Sequence, residues 1–392
     1  MSVTARQTLE TAGLASWREV SASALLHNVG TLRALAGTAK LGVVVKADAY
    51  GHGLAPACAA FVDAGVDWLV VNFAHEAAAV RAVLARDVPL YVCGTVFPHD
   101  APTLVEARAR VVLYDPLVAA ALSAASTARG VVTPVHLKIE TGTNRQGLPV
   151  GDALALAMQV RALGGLTLEG LTTHFADIED STDHRFAHGQ LAVLHEAKRA
   201  LAAAGFAVPM VHSANSAATI LDEGTRGDLV RVGIAAYGLW PSKETLAAFS
   251  ERHGRAPPTL VPALSWRARL AQVKDVPAGA YVGYGRTFRT TRASRIAVVP
   301  VGYHEGYDRR LSNVGHVLVR GQRAPVRGRV CMNMLMVDVT DVPGAAAGDV
   351  ATLLGVDGDE RVSAEQLASW MGTIHYEVVS RINGCQQALL AP

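Results

Sequence analysis

The chain has 392 residues, 50% of them hydrophobic and 18% charged, with a formal net charge of +2. No basic run interleaves with aromatics, which argues against a nucleic-acid partner; the start, MSVTARQTLETAGLASW, has no apolar core of signal-peptide length, and no later stretch is long enough to span a bilayer. Cys58, Cys93, Cys331 and Cys385 are scattered without metal-ligand or redox spacing, so free thiols, no metal site and a cytoplasmic, non-membrane protein are expected.

The length exceeds what one core usually carries, so two domains are expected. After an N-terminal extension over 1–17, short apolar runs alternate with Ala-rich amphipathic stretches. Strands are predicted at Leu41–Ala47, Asp67–Phe73, Pro89–Gly94, Val111–Asp115, Val132–Glu140, Leu166–His174, Pro209–Ser213 and Asp228–Gly233. Helical patterns such as His75–Leu84, Asp152–Leu163 and Arg185–Ala204 lie between them. Continuous apolar strands separated by helices imply a parallel sheet buried on both faces. Eight of them predict a (β/α)8 barrel of the TIM type over 18–246, with its active site at the C-terminal strand ends. Residues 247–258, AAFSERHGRAPP, are polar and Pro-rich and read as a linker. Beyond it, β-type runs at Ala263–Val276, Arg295–Pro300, His316–Val319, Met334–Val339 and Val350–Leu354 predict a mostly antiparallel domain over 259–392, with one helix at Ala364–Met371.

Lys46 closes the run LGVVVK. A buried ammonium is costly unless its charge is used or removed. At a barrel mouth, partial desolvation lowers a lysine pKa and prepares the amine for Schiff-base chemistry. On position alone, a strand-end lysine that snorkels to solvent is an equal reading. Strand seven runs into HSANS (His212–Ser216) and strand eight into RVGIAAYG (Arg231–Gly238). The Ser216 hydroxyl and the backbone N–H groups of Gly233 and Ile234 have the composition of an anion cradle; an ordinary βα turn is the alternative. Arg231, in an apolar strand, needs a partner, for which Asp177 or another strand-end carboxylate is one possibility.

The octet KADAYGHG (Lys46–Gly53) resembles the pyridoxal-phosphate signature of alanine racemases, and the similarity runs from Trp17 to about Ile382. The resemblance implies pyridoxal 5′-phosphate as cofactor, carried by Lys46, and a small amino acid as substrate. Tyr50, Ser216, Gly233, Ile234 and Tyr376 (in GTIHYE) would contact the phosphate, with Asn215 in support. His174, in TTHFAD, would lie against the pyridine ring, and Arg231 would face its nitrogen. Arg145, in VHLKIETGTNRQG, would contact the phenolic oxygen and the substrate carboxylate. Lys138 matches a lysine that is often carbamylated. Tyr284, in VGYGRTF, corresponds to the second catalytic base, Tyr303 to an entrance residue, and Met332 to a backbone contact of the substrate carboxylate. The chain departs from the family at Glu140, Thr143, Glu305 and Asn333, where Asp, Met, Asp and Asp are usual. Because Lys46 and Tyr284 fall in different domains, the resemblance implies a homodimer with shared sites and a two-base interconversion of L- and D-alanine. A racemase of broader range, acting on serine, lysine or arginine, keeps the same residues. A related decarboxylase would place an acid against the ring nitrogen, and a non-catalytic cofactor carrier would lack residues 260–390.

Overall fold

The structure, a computed structural model, describes residues 13–84, 86–254, 256–383 and 388–391. Cys385 and most of the expected N-terminal extension lie outside the described residues. The chain divides into two compact units. One comprises Ala24–Lys46 and Cys58–Pro262; the other comprises 13–23, Ala47–Ala57 and the chain from Ala263 onward.

Strand β1 (Ser16–Ser21) belongs to the second unit, and the first unit is built on the next eight: β2 (Lys40–Val44), β3 (Trp68–Val71), β4 (Leu90–Val92), β5 (Ala109–Leu113), β6 (Thr133–Lys138), β7 (Leu166–Thr172), β8 (Met210–His212) and β9 (Leu229–Val232). All pair in parallel, in the order β8-β7-β6-β5-β4-β3-β2-β9. The circle closes through Asp228 N–H to Val211 O (2.8 Å) and Arg231 N–H to Ala214 O (2.9 Å). This is the predicted barrel; β5 keeps the length of its apolar run and the other seven strands are two or three residues shorter than theirs. The central strands bury nearly every residue because helices cover the outside and side chains fill the inside. The longest helix, Arg185–Ala203, buries Ala187, Gln190, Leu194, Ala197 and Leu201, a stripe at helical spacing.

The stretch expected to be a linker begins inside a helix, Lys243–His253, which belongs to the barrel unit. Ser242 caps it by accepting from Thr245 N–H, and Gly254, left-handed at φ 56°, ends it. Only Thr245, Ala248 and Phe249 are buried, so the polar outer face reads as linker composition. The expected extension also differs: Ser16 and Trp17 lie in β1, and Trp17 is 2% exposed.

In the second unit β1 pairs antiparallel with β10 (Leu264–Arg269). The run Ala263–Val276 divides, because β11 (Gln272–Val276) joins a different sheet. The hairpin of β12 (Tyr281–Val282) and β13 (Phe288–Arg289) precedes β14 (Ser294–Val299), which lies between β11 and a later strand. The remaining strands are β15 (His316–Val319), β16 (Gln322–Pro325), β17 (Leu335–Asp338), β18 (Val350–Asp357), β19 (Glu360–Val362) and β20 (Ala388–Ala391). The larger sheet runs β16-β15-β18-β10-β1-β20 and the smaller β11-β14-β17. All pairs here are antiparallel except β1 with β20. The predicted helix forms at Ala364–Met371, and a second follows at His375–Ser380.

Candidate active site

In the barrel unit, Lys46 directly follows β2, where Val45 N–H still bonds Val70 O at 2.8 Å. The lysine thus stands at a C-terminal strand end, half-buried. Arg231, on neighbouring β9, is 8% exposed. Its Nη1 donates to His212 Nδ1 (2.5 Å) and its Nη2 to the carbonyls of Thr173 (2.8 Å) and Ser213 (3.2 Å). Asp177 is not its partner, and the Nε–H donates to no protein group among the described residues.

The electrostatics here are one-sided. Burial, then the charges of Arg231, Lys138, Arg145 and Lys46, push the His174 pKa well below the usual imidazole value. None of those four cations has an ion-pair partner among the described residues. Lys138, at the end of β6, is buried, and burial lowers its pKa to about 8. Its Nζ donates to Gln146 Oε1 at 3.3 Å, and Gln146 in turn donates to Thr95 and Tyr114. Arg145 sits in the exposed loop after β6, its N–H on the Glu140 carboxylate at 3.3 Å. Thr143 Oγ1 donates to the His174 carbonyl (2.8 Å).

Asn215 caps the short helix Ser216–Leu221 by accepting from Ala218 N–H, and Ser216 Oγ accepts from Gly233 N–H at 2.8 Å. The hydroxyl therefore ties the loop after β8 to the loop after β9. Ile234 opens the turn Ile234–Tyr237, where first-turn N–H groups lack intrahelical acceptors. Of the two backbone donors expected in the cradle, the Gly233 N–H is thus engaged by Ser216.

The second unit holds the remaining predicted residues. Ala47, Asp48, Ala49 and Tyr50 form a turn in the left-handed region, at φ 53°, 53°, 54° and 54°. Arg18 fastens it: Nη1 donates to Asp48 Oδ2 (2.9 Å) and to Gly51 O (2.6 Å). Gly51 is required, since a Cβ there would stand 1.9 Å from Val379 O. The Tyr50 and Tyr376 rings lie 6.3 Å apart. Tyr284 is 74% exposed between Gly283 and Gly285, both at positive φ. Tyr303 and Met332 are also exposed, on two segments joined by Tyr303 N–H to Cys331 O (3.0 Å) and His304 N–H to Met332 O (2.9 Å). Glu305 locks them, accepting from Gly302 N–H (2.8 Å) and from Asn333 Nδ2 (2.6 Å).

Residues 20–241 match the model of the alanine racemase N-terminal domain, and residues 263–388 that of the C-terminal domain. The chain belongs to the alanine racemase family. A curated alanine racemase from Leptospira interrogans is 37% identical over 374 residues, 94% of each chain. Among solved structures, the alanine racemase of Streptomyces coelicolor A3(2) has a TM-score of 0.88 and 34% identity, covering 97% of this chain and 99% of its own. That of Bartonella henselae, with covalently bound pyridoxal phosphate, has a TM-score of 0.80 and 25% identity, covering 96% and 99%.

Three residues linked to Arg231, directly or in series, escaped the sequence reading. His136, His212 and Glu169 form a hydrogen-bonded row behind it. Both histidines stand inside segments singled out for other residues, VHLK and HSANS. An imidazole at an inward position of a buried strand was the available signal.

Proposed function

We propose that this chain interconverts L- and D-alanine using pyridoxal 5′-phosphate, as a cytoplasmic homodimer. The observation that carries the reading is a strand-end lysine, Lys46, in a barrel unit where Arg231, Lys138 and Arg145 likewise lack acidic partners among the described residues. The donor set fits the cofactor. A phosphate and a phenolate oxygen need cationic and N–H donors, and a ring nitrogen can accept from the unpartnered Arg231 Nε–H.

Lys46 Nζ would join the cofactor, and Ser216, Ile234, Tyr50 and Tyr376 would hold its phosphate, with the Gly233 N–H holding the Ser216 hydroxyl in place and Asn215 shaping the loop through its cap. When bound, the cofactor supplies an electron sink that acidifies the α-proton of an attached amino acid. Arg231, which keeps its proton, would leave a ring nitrogen placed against it unprotonated, so the sink would be weak and clean proton exchange would be favoured over side reactions. A decarboxylase would need an acid at that place. His174, its pKa depressed, would lie neutral against the ring. Arg145 and the backbone at Met332 would orient the substrate carboxylate, and Tyr303 would line the entrance. Lys46 Nζ moves the proton on one face and Tyr284 Oη, from the other copy of the chain, on the opposite face. Lys138, with its lowered pKa, is nucleophilic enough near neutral pH to take up carbon dioxide, and the carbamate would orient Arg145. Tyr376 would narrow the site to small substrates.

The test is borohydride reduction of the purified protein followed by peptide mass spectrometry, with chiral chromatography of alanine, serine, lysine and arginine reactions. The adduct is expected on Lys46 and the highest kcat/KM on alanine. An adduct on another residue removes the reading.

A further inference from the structure

Behind Arg231 a row of polar groups crosses the barrel interior, and the proposed chemistry does not use it. Arg231 Nη1 donates to His212 Nδ1 at 2.5 Å; His212 Nε2 lies 2.8 Å from His136 Nδ1; His136 Nε2 lies 2.9 Å from Glu169 Oε2. Arg110 Nε meets that same carboxylate oxygen at 2.9 Å. Both histidines are wholly buried.

The two ends fix the direction of every bond between them. A guanidinium only donates, so His212 Nδ1 must be the bare nitrogen and the His212 proton must sit on Nε2. A carboxylate only accepts, so the His136 proton must face Glu169 from Nε2, which leaves His136 Nδ1 bare for His212. Read from either end, both imidazoles are neutral Nε2–H tautomers. Burial agrees, lowering the pKa of His136 and holding that of His212 well below the usual range.

The row is built rather than incidental. At Gly170 on β7 a Cβ would stand 2.1 Å from His136 Nδ1, so only glycine leaves room for the contact. The Tyr91 ring packs 4.9 Å from His136 and 5.3 Å from His212, and Trp68 stands edge-on to His136 at 5.8 Å. Thr172 Oγ1 lies 3.1 Å from the same His212 Nδ1.

We infer that Glu169 is a positioning residue for Arg231, acting across the barrel through His136 and His212. By setting both tautomers it keeps a bare nitrogen in front of Arg231 Nη1. If the row reversed, His212 would present N–H to N–H and push the guanidinium away. With one Nη1–H and both Nη2–H engaged, the Nε–H and the second Nη1–H are the donors left over. Use of the Nε–H by a cofactor ring nitrogen is the one step that rests on the function proposed above.

The experiment is long-range 1H–15N spectroscopy on full-length protein labelled with [15N]histidine, together with titration of pyridoxal phosphate. In the wild type His136 and His212 should both be Nε2–H tautomers. Glu169→Leu, made with Arg110→Met so that no guanidinium is left unpaired, should introduce the Nδ1–H form. It should also weaken cofactor affinity by about tenfold, the factor that one unpaired buried donor carries. Arg110→Met alone should change neither tautomer. Glu169→Gln, which keeps an acceptor oxygen in place, should restore both the tautomers and the affinity. An Nδ1–H or imidazolium form in the wild type overturns the inference, as do unchanged tautomers in the Glu169→Leu protein. If the wild type bound no pyridoxal phosphate, the function would be wrong while the tautomers still decided the row.

Discussion

Ala47 offers a test in which the sign of the effect decides. In L-residues the left-handed conformation presses Cβ against the following carbonyl at about 1–2 kcal/mol per residue, so four such residues hold roughly 4–8 kcal/mol. Ala47 is exposed and contributes little burial. Ala47→Gly removes its share of the strain and loses about 0.4–1 kcal/mol through the freer unfolded chain. A net gain of about 0.5–1 kcal/mol is expected, whereas the same change in a right-handed helix costs about 1 kcal/mol. Arg18→Met probes what holds the turn. A bond from a charged group contributes about 1.5–3 kcal/mol. The bond to Asp48 is discounted because that side chain is 52% exposed. The Gly51 carbonyl carries most of the effect, and about 2–3 kcal/mol in total should be lost. Urea unfolding at constant m reads both changes, and the double variant should recover part of the Arg18 loss because less strain needs holding. If Ala47→Gly loses about 1 kcal/mol, the segment is not left-handed and the argument fails.

Burial lowers the Lys138 pKa to about 8 from an ordinary 10.5. Between those values the unfolded chain binds more protons than the folded one, so stability should rise with pH across that window. Lys138→Met should flatten the rise in denaturation midpoints; a parallel pH profile would contradict it. Asn333→Asp sets a second carboxylate against Glu305 Oε1, where the amide now donates at 2.6 Å. The pair would hold a proton that the unfolded chain releases, so the variant should match the wild type in acid and lose about 1–3 kcal/mol as pH rises past the carboxylate range. A pH-independent difference would refute the contact. Tyr284→Phe should keep the cofactor and lose racemisation by at least about 100-fold. Mixing it with Lys46→Ala should restore part of the activity, since one site of the heterodimer keeps both bases; subunits that exchange without rescue would sink the shared site.

The barrel was legible because its strands are continuous apolar runs with little else to become. LGVVVK and LVRV form β2 and β9 almost as read. Residues 247–258 misled because a helix with only three buried residues has the composition of a linker, and its Ser242 cap lies five residues before that stretch. The turn Ala47–Tyr50 was hidden for a different reason. KADAY has no glycine at the left-handed positions, and local propensity points to an ordinary helix. What imposes the conformation lies at Arg18 in β1 and in the close approach of Gly51 to Val379, contacts that no local window contains.

The partner of Arg231 shows where pattern reasoning stops. A permanent charge in an apolar strand calls for a compensating acid, and Asp177, near the end of β7, was the available choice. In the fold a carboxylate is present, but it stands two imidazoles away, at Glu169. Distance changes its effect. An adjacent carboxylate would neutralise the guanidinium and take two of its donors in a bidentate pair. At the far end of a neutral row it fixes the direction of the hydrogen bonds while leaving the charge of Arg231 uncompensated in its own surroundings. The same side chain can then be held through three of its five N–H groups and still be chemically open at Nε. Residues 33 and 76 positions apart make that row. Only the barrel's closure, which brings inward side chains of β6, β8 and β9 to one axis, could assemble it.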